Sequence, residues 1–207
     1  MTHESAACMA GRLRPARPQR RLQRAGRMMC GVLTAMVWQG MALAAGNCQL
    51  QISNRTIDYG QMTRAELLER QASPSTFSLG KQSMTLTATC RQPALITLFF
   101  RGAAADGASY RFGNGGSFTL QLSGAQLDGK AVNLGKVKVA GQQPEIMSAA
   151  MALLPNDGAV PVSDERPVKG SNFSMNVEIE ALVSAAGSRV ADQTLWRGNG
   201  SFELIEH

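Results

Sequence analysis

Polar and apolar residues alternate most cleanly across residues 173–181. Phe173, Met175, Val177, Ile179 and Ala181 fall on one side, and Ser174, Asn176, Glu178 and Glu180 on the other. A strand places successive side chains on opposite faces, so this pattern predicts a β-strand with one face on a core and one in water. Shorter alternations predict strands at 48–52, 84–90 and 117–122. Val137 and Val139 predict one more. Residues 94–100 are apolar almost throughout, as in a strand covered on both faces. Thr63-Arg-Ala-Glu66 has the capping-box spacing and predicts one helical turn ahead of Leu67 and Leu68. Asp128-Gly129 and Gly113-Asn-Gly-Gly116 have hairpin-turn composition. The loops expected from Gly content and from Pro144, Pro155, Pro161 and Pro167 are 102–116 and 141–170, with a short element at 146–154. The chain closes on a strand-like run, 201–207. A final strand with no successor either pairs with a strand from elsewhere or leaves an open edge.

The first residues depart from this pattern. Seven arginines, Arg12 to Arg27, precede an uncharged apolar run from Met28 to Ala45, and Ala42-Leu43-Ala44 supplies a small-x-small exit. A basic start, a short apolar middle and small residues at the end describe a secretory signal peptide, expected over residues 1–44 with cleavage after Ala44. Translation starting at Met28 or Met29 would give the same leader without its long basic extension. The remaining residues, 45–207, form a single domain by length, and their apolar runs are too short for a membrane span.

Removing the leader changes the charge. Seven of the 21 basic residues and one of the 15 acidic ones lie in it, leaving 14 of each. A formally neutral domain has no excess of Lys and Arg for phosphates, so nucleic acid is not an expected partner. Cys8 and Cys30 leave with the leader, and Cys48 and Cys90 remain. In an oxidising compartment two remaining cysteines are expected to pair as a structural staple, with a redox or metal role as the alternative. The sole histidine left is the terminal His207. A Ser-His-Asp hydrolase or a His-based zinc site is therefore not expected, and neither is a cofactor. Glu178 and Glu180 read as a solvated face rather than a catalytic carboxylate pair. The composition, poor in aromatics and rich in Gly, Ser, Thr, Val and Leu, suits an all-β sandwich.

Several features in order resemble pilus (fimbrial) subunits of the chaperone–usher kind, most closely the beta-fimbrial subunit family. They are Cys48 opening the exported chain, Ile57-Asp-Tyr-Gly60, Leu86-Thr-Ala-Thr-Cys90, Phe112-Gly113 with Asn114-Gly-Gly116, Leu127-Asp-Gly129, the strand 173–181, and Gly198-Asn-Gly-Ser-Phe-Glu-Leu-Ile205. The resemblance covers residues 48–207. It implies an incomplete immunoglobulin-like β-sandwich, missing its final strand, on the way through the periplasm to a surface fimbrium. It also implies three partners: a periplasmic chaperone, an outer-membrane usher and a neighbouring pilus subunit. The implied strand-acceptor groove and C-terminal strand comprise Phe202, Leu204 and Ile205, with Phe202 and Leu204 lining the groove and facing the core strand of Phe173, Met175, Val177 and Ile179 or its neighbour. Two departures stand out. Glu206 occupies the position, second from the end, where such subunits carry a tyrosine. Only Ala45, Gly46 and Asn47 would precede Cys48, so the chain is expected to accept a strand without donating one, as a tip or capping subunit. The competing expectation is a self-complete exported β-sandwich that binds a sugar or surface ligand, with loops 102–116 and 141–170 as its surfaces.

Overall fold

A computed structural model describes residues 46–188 and 195–207 of the chain; the expected leader, residues 1–44, lies outside the described residues. With strands numbered in chain order, the first sheet runs β1 (Cys48–Ile52), β3 (Thr76–Ala94), β13 (Gly170–Ser184), β6 (Gly116–Leu127), β10 (Ala150–Ala152). Short strands β2 (Gln71–Ser73), β5 (Tyr110–Phe112) and β7 (Lys130–Ala131) add to β3 or β6. The second sheet runs β14 (Gly200–Glu206), β4 (Ile96–Gly102), β11 (Gly158–Ser163), β8 (Asn133–Val137), β9 (Ile146–Ser148), with β12 (Arg166–Pro167) beside β11. Every pairing is antiparallel. The protein is an all-β sandwich of two antiparallel sheets.

The core lies between the sheets. β13 pairs with β3 on one side and β6 on the other, and Phe173, Met175, Val177 and Ala181 are buried in the core. Ile179 is half-buried. On the opposite face Glu178 meets Lys81 at 2.8 Å and Glu180 accepts from Ser78, both at or near the surface. These carboxylates have the solvated role that alternation predicts.

β4 is buried on both faces from Ile96 to Phe100. Its inner residues join the main core. Phe99, on the outer face, packs with Val137, Val160 and Val162 in a second apolar cluster, against which Ala140 and Ile205 also pack. Pro144 seats on Gly135, where a Cβ would lie 2.7 Å from the proline ring. β4 is thus buried on both faces, Thr97 included, which hides the period of two in residues 94–100.

Local signals explain the connections. Thr63 accepts from the Glu66 N–H while the Glu66 carboxylate accepts from the Thr63 N–H, closing a capping box that starts α1 (Arg64–Glu69). Leu67 anchors that turn in the core. Asp128 and Gly129 both have positive φ, 50° and 77°, as a two-residue type I′ hairpin requires. No helix among the described residues is long and apolar enough to cross a membrane.

Two expectations need correction. Val139 is not in a strand: β8 ends at Val137, and Gln142 N–H donates to the Val139 carbonyl in a turn that leaves Val139 65% exposed. Residues 141–170 are not mainly loop, because β9, β10, β11 and β12 lie within them. β11 tolerates Pro161 because its pairing with β4 stops at Ala159. Beyond that point the Pro161 carbonyl accepts from Val168 N–H, and the missing N–H of Pro161 faces the same side, clear of the β8 ladder. Likewise residues 102–116 hold β5, which pairs with β6 through the predicted turn at Gly113–Gly115.

Candidate functional site

β14 is the edge strand of the second sheet and pairs only with β4 among the described residues. His207 and Leu95 exchange both backbone hydrogen bonds, at 3.1 Å each. Antiparallel ladders alternate, so Ile205, Glu203 and Ser201 also turn their N–H and C=O groups toward β4. The N–H and C=O groups of Gly200, Phe202 and Leu204 therefore face away from the sheet. Among the described residues nothing pairs with them.

The side chains alternate too. Phe202 and Leu204 are half-buried against the main core, and Ile205 turns to the outer cluster of Phe99 and Val160. Ile205 therefore belongs to the last strand and faces away from the core side, as the period of two requires. Phe202 lines a cavity of about 530 Å³ beside the open edge. Leu204 does not line it.

The cavity lies between the two sheets where β1 and β14 diverge. Met84, Ile179 and Ala181 of the first sheet form one wall, and Phe100 and Phe202 of the second form another. Phe112 and Phe118 close its depth. Phe100 is the hub, with ring centroids 4.9 Å from Phe202, 4.8 Å from Tyr110 and 5.9 Å from Phe118 in edge-on geometry. Gly198 and Gly200 let two rings pack directly on the backbone at the mouth: a Cβ on Gly200 would fall 2.1 Å from the Phe100 ring, and one on Gly198 2.9 Å from Phe112.

The remaining wall is a strap, residues 54–60, without regular secondary structure. Ile57 and Tyr59 point into the core from it. Its N–H donors at Thr56 and Gly60 bond locally to Asn54 and Asp58 side chains. The hydrogen bond holding it to the body among the described residues is Tyr59 OH to the Ile179 carbonyl, 3.0 Å. Burial, and secondarily the Glu180 carboxylate, push the Tyr59 phenol up to about 12, so this donor keeps its proton at physiological pH.

At the other end the two edges are fastened together. Cys48 and Cys90 form a disulfide between the paired strands β1 and β3. Asn47 N–H donates to Glu206 Oε1 at 3.0 Å, tying the start of β1 to the end of β14. The Asn47 side chain exchanges two bonds of 2.9 Å with the Gln92 backbone, so its own position is fixed. Cys48, Cys90 and Glu206 offer ligand atoms within 4.8 Å of one another, but both sulfurs are taken by the disulfide, and it is the thiolate that ligates metals.

Elsewhere, Asp157 is fully buried, with Lys138 on Oδ1 and Lys136 Nζ 3.7 Å from Oδ2. This is charge pairing of one carboxylate with two lysines. From the sequence Phe202 is expected at the site; Ile57, Tyr59, Phe112 and Gly198 stand in stretches that carry the resemblance but have no assigned place there. Phe100 and the Asn47–Glu206 contact have no local signal, because they join segments far apart in the chain.

No protein-family model and no curated protein matches the chain. Among solved structures it is similar to the P pilus rod subunit PapA in its crystal structure. The two are 12% identical, with 78% of this chain and all (100%) of that chain covered, at a TM-score of 0.40.

Proposed function

We propose that the chain is a structural subunit of a surface fimbria that is completed by a strand from a partner added along β14. The observation that carries this reading is the unpaired edge of Gly200, Phe202 and Leu204 beside an aromatic-lined cavity. An extended peptide is the ligand that satisfies both: its backbone completes the ladder and its alternate side chains enter the gap between the sheets. A periplasmic chaperone supplies the strand first, and at the outer-membrane usher a neighbouring pilus subunit replaces it. The reading includes export of the chain to the cell surface and gives it no catalytic task. Asn47 supports a tip or capping place. It is committed to Glu206 and Gln92 and so is not available to pair with another subunit.

One observation favours a second reading, a self-complete sandwich that binds a surface ligand: Ile57 and Tyr59 already fill part of the gap. One experiment separates the two. The protein is produced in a bacterial periplasm alone, and again with a fimbrial chaperone. The strand-acceptor reading expects aggregation or degradation alone and a soluble one-to-one complex with the chaperone. A stable monomer that ignores the chaperone would support the self-complete sandwich.

A further inference from the structure

We infer that the groove is a wedge, closed at Glu206, and takes a short strand of roughly five residues with a single bulky apolar anchor beside Phe202. This rests on the strand-acceptor reading and specifies its partner. The closed end is built by three fixed contacts: the Cys48–Cys90 bridge, the Asn47 N–H to Glu206 Oε1 bond and the grip of the Asn47 side chain on Gln92. Gly46 is held in the same place, its carbonyl accepting from Arg91 at 2.8 Å and its Cα side lying over the Glu206 carboxylate. A strand lying along β14 meets this crossing at Glu206. The free length of edge is therefore Gly200–Leu204.

Within that length the inward-facing positions are not equivalent. In an added strand, inward side chains lie level with those of Gly200, Phe202 and Leu204. The cavity is lined by Phe202 and not by Leu204, and the space over Gly200 is taken by the Phe100 ring. One large apolar side chain fits level with Phe202, and a small one suffices beside Leu204. The chain thus selects its partner strand by where the anchor sits and rejects the benefit of a longer strand.

The test is a peptide series titrated into the purified protein by calorimetry. Acetyl-Thr-Phe-Thr-Val-Thr-amide is compared with versions extended by Val-Thr-Val-Thr at either end, and with Phe replaced by Ala. The expected result is that extension at either end changes affinity by no more than about twofold and that Phe→Ala weakens it roughly thirtyfold. Glu206→Ala removes the pin, and one of the two extensions then gains about tenfold. Extensions that tighten binding about tenfold on the unaltered protein, or indifference to Phe→Ala, would overturn the wedge while leaving the strand-acceptor reading intact. Binding of none of the peptides would overturn the acceptor reading and the wedge with it. The length series needs no variant, so it decides even where Glu206→Ala does not fold.

Discussion

Phe173 sits in the main core with no exposed surface, among residues that are mostly Leu, Val, Ala, Met and other aromatic rings. Truncating it to alanine leaves a void that β13 cannot close, because its neighbours β3 and β6 hold it on both sides. Phe173→Ala is expected to cost about 3–5 kcal/mol, read as a fall in the denaturant midpoint at constant slope. The tyrosines give a pH test. Tyr59 and Tyr110 are the two in the sequence, and both are pushed up to about 12, by burial first and by the nearby carboxylates of Glu180 and Asp157 second. A raised phenol pKa stabilises the fold below the unfolded value of about 10. That contribution is lost as pH climbs from there through about 12. Ultraviolet titration should therefore show little phenolate at about pH 11 while the protein stays folded. Half-titration near pH 10 would mean that neither ring is held as described.

At the scale of elements, what was legible depended on whether one face of a strand meets water. β13 and the Met84–Cys90 part of β3 have a polar outer face, so alternation exposes them directly. β4 and β11 are covered on both faces, and in β11 the uniform apolar run is broken by Pro161, which reads locally as a loop. The proline fits because β4 has already left the ladder, a fact of three-strand topology that no window of sequence contains. The same holds for the candidate site. Phe202 is visible in the closing strand, but the Phe100 hub, the glycine mouth and the Glu206 pin come from segments far apart in the chain. The disulfide ties β1 to β3 across a sequence separation of 42. Replacing Cys48 and Cys90 with Ala should cost on the order of 4 kcal/mol by loop-closure entropy. It should also free β1 from β14, raising proteolysis near Asn47. Unchanged stability would assign the bridge no structural weight.

For the whole molecule the decisive property is that β14, at the edge of the second sheet, pairs with β4 alone among the described residues. β1 and β14 are tied at Asn47 and Glu206, and Ile52 and Phe202 line one cavity with Ile57 and Tyr59 of the strap. A closed sandwich would spend the outward backbone groups of β14 internally; here they are unpaired among the described residues, as strand addition requires. Amide hydrogen exchange, resolved residue by residue along β14 by nuclear magnetic resonance, tests this most directly. The account predicts an alternating pattern: Glu203 and Ile205, bonded to β4, exchange slowly, while Phe202 and Leu204 exchange fast. Both fast amides become protected when a chaperone or strand peptide is added. Slow exchange at Phe202 and Leu204 in the isolated protein would contradict it, because the edge would then already be occupied.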